Sequence, residues 1–161
     1  MNPTQDASLR EIHRKLDRIL GTHTSCIQEE LPIWGIDSLS APNHIYKKMQ
    51  FMSHFEQEHL YVISLNTKNV IIAVDLVHKG GINASMIDPR SIFRTALLHN
   101  ASSIILVHNH PSGDVSASQQ DITATAKLAK AGTIIDLPLL DHLIIGKGAY
   151  TSLREDEPSL F

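Results

Sequence analysis

The sequence predicts an α/β fold in which a mixed central β-sheet is flanked by helices, and three observations support this prediction. Helical and strand-like patterns follow one another in the order α-α-β-β-α-β-α-β. Residues 103–107 form a nearly continuous apolar run, which is typical of a central strand covered on both faces. The chain has 161 residues, of which 42% are hydrophobic and 19% charged, and this balance suits one globular domain.

The N-terminal region is predicted to be an extension of that domain. In residues 5–20, apolar side chains recur at steps of three and four positions, which predicts an amphipathic helix that ends at Gly21. Residues 21–40 contain clusters of loop-forming residues. We therefore expect residues 1–38 to form an extension of one helix and a loop, and residues 39–161 to form the domain itself.

The next segment predicts a helix followed by a β-hairpin. Pro42 suits the first turn of a helix, which we expect to run over residues 40–53. Two strands are expected at residues 59–65 and 70–77, joined by the polar turn 66–69. Because a turn this short joins antiparallel strands, the two strands should lie side by side in the sheet.

The C-terminal half alternates helices and strands. Asp88 and Pro89 supply an N-cap and a first helical residue, so a helix should begin there. The apolar strand at residues 103–107 precedes a helix that we expect at residues 118–130, closed by Gly132. The remaining strands are expected at residues 139–145 and 149–152.

Charge and cysteine content exclude several classes of protein. The net charge of −3 argues against a protein whose main role is to neutralise nucleic-acid phosphates. Cys26 is the only cysteine, so neither an intrachain disulfide nor a zinc site built from cysteine pairs can form. The N-terminus is too polar for a signal peptide, and no run of about 18 apolar residues occurs. We therefore expect a cytoplasmic protein that does not enter a membrane.

Two histidines at the end of the apolar strand indicate metal binding. Residues i and i+2 of an extended chain face the same side, so the imidazoles of His108 and His110 can converge on one ion. Asp121 lies one turn inside the next helix, from which its carboxylate can face the strand end. Two neutral imidazoles and one carboxylate make a three-ligand zinc site with a fourth position for water. The sequence therefore predicts one divalent ion, zinc, in a solvent-open site typical of hydrolases.

Other interpretations of the same residues are open at this point. Ser118 and Asp121 have the spacing of a helix capping box, with aspartate in place of the usual glutamate. Asp114 competes with Asp121 as the third ligand because it is closer in sequence to the histidines, although it lies in a turn. A histidine pair also occurs on surfaces by chance, so the metal prediction depends on the pair and the acid together.

These residues match a known motif. The spacing His108-x-His110-x7-Ser118-x2-Asp121 resembles that of the JAMM metalloproteases of the JAB/MPN superfamily. The string His-Asn-His-Pro-Ser-Gly-Asp that begins at His108 resembles the RadC family within it. Two further strings of this family are present, Asp88-Pro89-Arg90 and Asp141-His142-Leu143-Ile144-Ile145-Gly146, so the resemblance covers about residues 39–153. It implies the JAB/MPN fold, a layered architecture like that of cytidine deaminases, although the single cysteine excludes a deaminase site.

The resemblance implies a role for each residue of the motif. His108, His110 and Asp121 would be the ligands of one zinc ion. Ser118 would form a hydrogen bond at the site, either to the reacting water or to the oxyanion of the transition state. Together these residues would activate a water molecule for attack on a carbonyl group.

Two more features follow from the resemblance. The superfamily uses an upstream glutamate as general base, and Glu58, directly before the first predicted strand, is the favoured candidate, with Glu56 as the alternative. Asp141 and His142, on the last long strand, would either orient a ligand imidazole or form a structural hydrogen bond inside the sheet.

The function implied by the resemblance is that of a zinc-dependent peptidase or isopeptidase acting on a peptide or protein substrate. The second hypothesis is a nucleic-acid-associated protein, of the DNA-repair kind named for the RadC family, whose metal is structural or vestigial. Many RadC-family chains carry an N-terminal helix–hairpin–helix element that binds DNA, and residues 1–38 contain no Gly-rich hairpin of that kind. Nucleic acid is therefore the less favoured partner, no membrane partner is expected, and a homo-oligomer is compatible with the sequence.

Overall fold

The protein folds as a mixed five-stranded sheet with helices on both faces, which confirms the predicted fold class. The structure is a computed structural model that describes residues 41–80 and 87–161. The helices of these residues are α1 (Pro42–Met49), α2 (Pro89–Leu98), α3 (Gln119–Ile134) and α4 (Leu153–Asp156), with 3₁₀ turns at Gln50–His54 and Pro158–Leu160. The strands are β1 (His59–Leu65), β2 (Ile71–Lys79), β3 (Ser103–Asn109), β4 (Leu139–Ile145) and β5 (Tyr150–Ser152). The helix predicted at residues 5–20 and the loop after it lie outside the described residues, so the division of the chain at residue 38 stays a prediction.

The strands are arranged in the order β2-β1-β3-β4-β5. β1 and β2 form the predicted antiparallel hairpin, and β1 also pairs antiparallel with β3. β3 and β4 are parallel, and α3 lies in the crossover between them. The C-terminal ends of β3 and β4 and the start of β1 therefore meet at one edge of the sheet.

Two apolar layers cover the sheet. The layer on one face joins α1 and the following 3₁₀ turn to the strands and contains Val107 of β3. The layer on the other face joins α2 and α3 to the strands and contains Leu106. Because side chains alternate along a strand, His108 continues the row of Leu106 on the α3 face, and Asn109 continues the row of Val107 on the α1 face.

Helix α3 begins where the sequence predicts but ends later. The prediction that Gly132 closes this helix is wrong, because the helix continues to Ile134. A Cβ on Gly132 would lie 2.5 Å from the carbonyl oxygen of Leu137, so this glycine instead allows the following chain to pass close to the helix. The left-handed residue after the helix is Asp136, at φ 56°.

Most other boundaries agree with the sequence. Asp88 caps α2 as predicted, since its side chain accepts a hydrogen bond from the backbone N–H of Arg90. β4 has the predicted limits, β2 continues to Lys79, and the short helix α4 was not predicted. Within residues 41–80 and 87–161, no helix is long and apolar enough to cross a membrane.

Candidate metal centre

The candidate metal centre lies where β3 ends and α3 begins. His108 is close to the end of β3, His110 follows the strand, and Asp121 is in the first turn of α3. Of the residues that the structure describes, these three form a group whose ligand atoms all lie within 4.8 Å of one another. The side chains of His108 and Asp121 are 2% and 1% exposed, whereas that of His110 is 13% exposed. Access from solvent is therefore on the side of His110.

The distances between the ligand atoms are short enough for one metal ion to contact all three side chains. Nε2 of His108 lies 2.9 Å from Nε2 of His110 and 3.5 Å from Oδ1 of Asp121. Nε2 of His110 lies 3.7 Å from Oδ2 of Asp121. Ligands about 2.0–2.1 Å from a tetrahedral zinc ion are separated from one another by about 3.4 Å. The donor types suit zinc, and two of the three separations lie close to this value, whereas the His108–His110 separation is about 0.5 Å shorter.

The ring of His110 is oriented by the loop that follows it. Its Nδ1 lies 2.8 Å from the carbonyl oxygen of Asp114. Because a carbonyl oxygen can only accept, Nδ1 donates a proton to it, and Nε2 of the neutral ring keeps its lone pair. The loop packs on the end of β4, where a Cβ on Gly146 would lie 2.4 Å from the carbonyl oxygen of Gly113. Glycine at this position therefore allows the close approach that holds the loop in place.

The ring of His108 is oriented by a chain of three hydrogen bonds inside the protein. Thr125 Oγ1 lies 2.6 Å from the carbonyl oxygen of Asp121, to which it donates its only proton. The same Oγ1 lies 2.7 Å from Nδ1 of His142 and must accept a proton from it. Nε2 of His142 then accepts from Nδ1 of His108, at 2.8 Å. This chain leaves the Nε2 lone pair of His108 for a metal ion.

Both candidate ligand histidines thus present unprotonated Nε2 atoms to each other, at 2.9 Å. Two lone pairs at this distance repel unless a metal ion or a proton lies between them. Protonation of His108 is opposed, because burial and the neighbouring His142 hold its pKa well below its usual range. Burial also lowers the pKa of His142 to about 3. A metal ion beside the Asp121 carboxylate would satisfy both lone pairs and neutralise the buried negative charge.

Ser118 forms a helix capping box with Asp121, which is one of the interpretations that the sequence left open. Its hydroxyl accepts from the backbone N–H of Asp121 at 3.1 Å, and Oδ2 of Asp121 accepts from the Ser118 backbone N–H at 2.8 Å. The hydroxyl also donates to Oδ2, at 2.6 Å. Asp121 therefore caps the helix with one oxygen while its other oxygen, Oδ1, faces His108. The predicted hydrogen bond from Ser118 to a reacting water or oxyanion stays a prediction.

Asp114, the competing third ligand, contributes its backbone instead of its carboxylate. Its side chain is exposed, and Oδ1 accepts from the backbone N–H of Ser116 at 2.9 Å. Its carbonyl oxygen is the one that orients His110. Of the two candidate acids, Asp121 is the one that the fold brings to the histidines.

The two candidates for the general base differ in burial. Glu58 directly precedes β1 and is half-buried, with its Oε2 atom shielded from solvent, whereas Glu56 is exposed. Leu60 pairs with His108 across β1 and β3. Glu58, two residues before Leu60, therefore lies at the sheet edge where the candidate metal centre is found, in a position that faces the same side as His108. Burial and register favour Glu58 over Glu56, and its catalytic role stays a prediction.

The Asp141-His142 pair combines the two predicted alternatives. The ring of His142 contacts His108 and orients it, as one alternative proposed. The carboxylate of Asp141 instead accepts from the Ser152 hydroxyl at 2.7 Å and from the Arg154 backbone N–H at 3.0 Å, which joins β4 to the C-terminal segment. Burial raises the pKa of Asp141, although these hydrogen bonds favour its charged form.

Sequence reasoning did not identify Thr125 and Asn109. Thr125 lies four residues after Asp121, on the same side of α3 one turn later, and this spacing is the signal that could have indicated it. Asn109 is fully buried between the two histidines of the motif. Its side chain bonds to the backbone of Gln57, before β1, and of His59, the first residue of β1, and only the pairing of β1 with β3 brings these groups together.

Comparison with known proteins gives a consistent family match. The profile of the family described as RadC-like JAB domain matches residues 39–158 of this chain. A UPF0758 protein of Staphylococcus epidermidis is 49% identical over 107 residues, which are 66% of this chain and 47% of the relative. A UPF0758 protein of Symbiobacterium thermophilum is 39% identical over 138 residues, which are 85% of this chain and 58% of the relative. The chain thus spans about half the length of the curated relatives it matches.

Proposed function

Since the chain belongs to the RadC-like JAB domain family, we propose that it is a zinc-dependent hydrolase of the JAMM type that cleaves a peptide or isopeptide bond. One observation carries the proposal: the Nε2 atoms of His108 and His110 and the carboxylate of Asp121 converge on one point. Three such ligands leave a fourth coordination position for water, as in catalytic zinc sites. When bound, the ion would lower the pKa of that water toward neutrality and polarise the substrate carbonyl.

Proton transfer is the role that we assign to Glu58. Its position before β1 places it on the side of the sheet that His108 faces, and its carboxylate is half-buried there. Both features support this assignment, because a general base must lie within hydrogen-bond reach of the proton that it takes. In this role the carboxylate takes a proton from the attacking water and returns it to the leaving amine. Glu56 is exposed, and under this proposal its removal has little effect.

Two tasks are proposed for Ser118. In the structure its hydroxyl donates to Oδ2 of Asp121, which supports a role in orienting that ligand. In the transition state the hydroxyl would turn and donate to the oxyanion. The backbone N–H of Ser118 also donates to Oδ2, so the carboxylate would keep a hydrogen bond while the hydroxyl turns.

Metal content tests the proposed ligands. Purified protein should contain about one zinc ion per chain by elemental analysis. Asp121→Ala should lose this zinc while its circular dichroism spectrum stays that of a folded protein. Asp114→Ala is the matched control, since the carboxylate of Asp114 is exposed and only its backbone contacts His110. Zinc retention by Asp121→Ala, or equal zinc loss in both variants, would contradict the assignment.

Hydrolysis of a mixed fluorogenic peptide library tests the activity. Glu58→Gln should keep its zinc and lose cleavage by a factor of about 10² or more. Glu56→Gln, the neighbouring control, should cleave as the unchanged protein does. Zinc-loaded protein that cleaves no peptide of the library and binds duplex DNA with a steep salt dependence would favour the nucleic-acid hypothesis instead.

A further inference from the structure

We infer that Asn109, the residue between the two candidate ligand histidines, is a positioning residue that holds Glu58 at the metal centre. The inference rests on the proposed function, because it takes Glu58 as the general base. The observation behind it is separate from the metal ligands: the fully buried Asn109 side chain bonds to the backbone on both sides of Glu58.

The Asn109 amide holds the two residues that flank Glu58. Its Oδ1 accepts from the backbone N–H of His59 at 2.8 Å, and its Nδ2 donates to the carbonyl oxygen of Gln57 at 3.1 Å. An amide carries an acceptor and a donor on one planar group, so it fixes the relative orientation of both partners. The backbone of Glu58 is enclosed between these two contacts.

This clamp begins where the β1–β3 ladder ends. The last pair of that ladder joins Leu60 to His108, and one residue further the Asn109 side chain takes the place of backbone pairing. On the opposite side, the backbone N–H of Gly80, after β2, donates to the carbonyl oxygen of Glu58 at 3.0 Å. Displacement of the Glu58 backbone would therefore break hydrogen bonds to both neighbouring strands.

Asn109 acts through the backbone and not on the reacting atoms. Along β3, His108 faces the layer of α3, whereas Asn109 faces the layer of α1 on the other side of the sheet. The Asn109 side chain therefore points away from the candidate ion, and its hydrogen bonds reach the segment that carries Glu58. This arrangement separates metal binding, through His108, from placement of the base, through Asn109.

Cobalt-substituted protein provides a test that needs no substrate. Co²⁺ replaces zinc in such sites, and its visible absorption changes with pH as the solvent ligand ionises. Glu58→Gln removes a negative charge near the ion and should lower the midpoint of this transition by at least about 0.5 pH unit. Asn109→Leu keeps the side-chain size, loses the clamp, and should shift the midpoint in the same direction. Adding Asn109→Leu to Glu58→Gln should cause no further shift, because both act through one carboxylate.

Asn66 supplies the matched control. Its Oδ1 accepts from the backbone N–H groups of Lys68 and Val70 at 2.9 Å and 3.1 Å, at the opposite end of β1. Asn66→Leu therefore removes a similar pair of hydrogen bonds far from the metal centre and should leave the midpoint unchanged. Zinc affinity should fall to a similar extent, within about threefold, in Glu58→Gln and in the Asn109 variants, because each removes or displaces one negative charge beside the ion, and it should stay unchanged in Asn66→Leu. Asn109→Ala, which is smaller, replaces Asn109→Leu if the leucine variant does not fold.

The outcomes separate this inference from the proposed function. A shift in Glu58→Gln without a shift in either Asn109 variant overturns the inference and leaves the proposed base in place. Absence of a shift in Glu58→Gln overturns the assignment of Glu58 and with it the inference. A loss of zinc affinity in the Asn109 variants that is much larger than the loss in Glu58→Gln also overturns it, because Asn109 would then support the metal ligands and not Glu58.

Discussion

The hydrogen-bonded chain from Thr125 to His108 predicts that a hydroxyl remote from the ion controls zinc affinity. Thr125→Val keeps the side-chain shape and removes the acceptor of the His142 Nδ1–H, 2.7 Å away. Thr125 and His142 are both fully buried, so bulk solvent does not reach this position. His142 then either keeps an unpaired buried N–H, at a cost of about 1–3 kcal/mol, or moves its proton to Nε2. In the second case His108 must carry its own proton on Nε2, the atom that faces the ion.

The second response weakens zinc binding, because zinc needs the lone pair on Nε2 of His108, so the zinc-bound form must return the proton to Nδ1 of His142 and leave it unpaired. The first response lowers the stability of the protein with and without zinc. A penalty of about 1–3 kcal/mol corresponds to a change of roughly 5- to 150-fold in a dissociation constant. We expect the zinc Kd of Thr125→Val to rise by about 10- to 100-fold, in line with the loss of groups that orient ligand imidazoles. Competition with a chromophoric chelator measures this change directly.

Thr133 on the same helix offers a matched control. Its hydroxyl donates to the carbonyl oxygen of Ala129 at 3.0 Å, the same backbone contact one turn back that Thr125 makes with Asp121. Thr133→Val should therefore change zinc affinity little. A Kd for Thr125→Val within about threefold of that for Thr133→Val would refute the reasoning. Nitrogen NMR of the zinc-free protein gives a second check, since His142 must be protonated on Nδ1.

Two other substitutions and one condition test the neighbouring parts of the site. Gly146→Ala places a Cβ 2.4 Å from the Gly113 carbonyl oxygen, so the free energy of unfolding in urea should fall by about 1–3 kcal/mol and zinc binding should weaken. A variant as stable as the unchanged protein would contradict this. Ser118→Ala removes the α3 cap, which should lower the free energy of unfolding by about 0.5–2 kcal/mol and weaken zinc binding. Ser152→Ala, which removes the cap of α4, should leave zinc affinity unchanged. Equal zinc affinities in the two variants would argue against a role of Ser118 in orienting Asp121. The zinc-free protein should lose stability as the pH falls below about 6.5, because unfolded His142 takes up a proton that folded His142, with a pKa of about 3, does not. Between pH 7 and pH 5, His142 should lower the free energy of unfolding by about 2 kcal/mol. Urea unfolding at the two pH values measures this difference, and His142→Gln should reduce it by the same amount. An unchanged difference in the variant would show that His142 is not its source.

The candidate ligands could be predicted from the sequence because local geometry brings them together. His108 and His110 share a side of the chain by the period of a strand, and Asp121 lies in the first turn of the next helix. The capping box of Ser118 was visible for the same reason, since it joins two residues only three positions apart. The end of α3 was misjudged because Gly132 is required by the close passage of Leu137, a contact that helix-termination rules do not describe.

The residues that support the ligands could not be predicted in this way. Thr125 meets His142 across 17 positions of the sequence, and Asn109 meets His59 across 50 positions. Both contacts depend on which strands are neighbours, and the sequence predicts strands without their order. The parallel pairing of β3 with β4, which sets His142 opposite Leu106 and within reach of His108, had to come from the structure.

The mixed direction of the strands explains why the site can form at the end of β3. β3 lies between β1 and β4, so its end receives groups from both neighbours. The parallel neighbour β4 supplies His142 from within the sheet, where it is fully buried and sets the proton position of His108. The antiparallel neighbour β1 begins at the edge where β3 ends, and this direction brings the proposed base Glu58 to the site. β1 has seven residues, so a parallel β1 at about 3.3 Å per residue would start roughly 20 Å away, beyond the reach of any side chain.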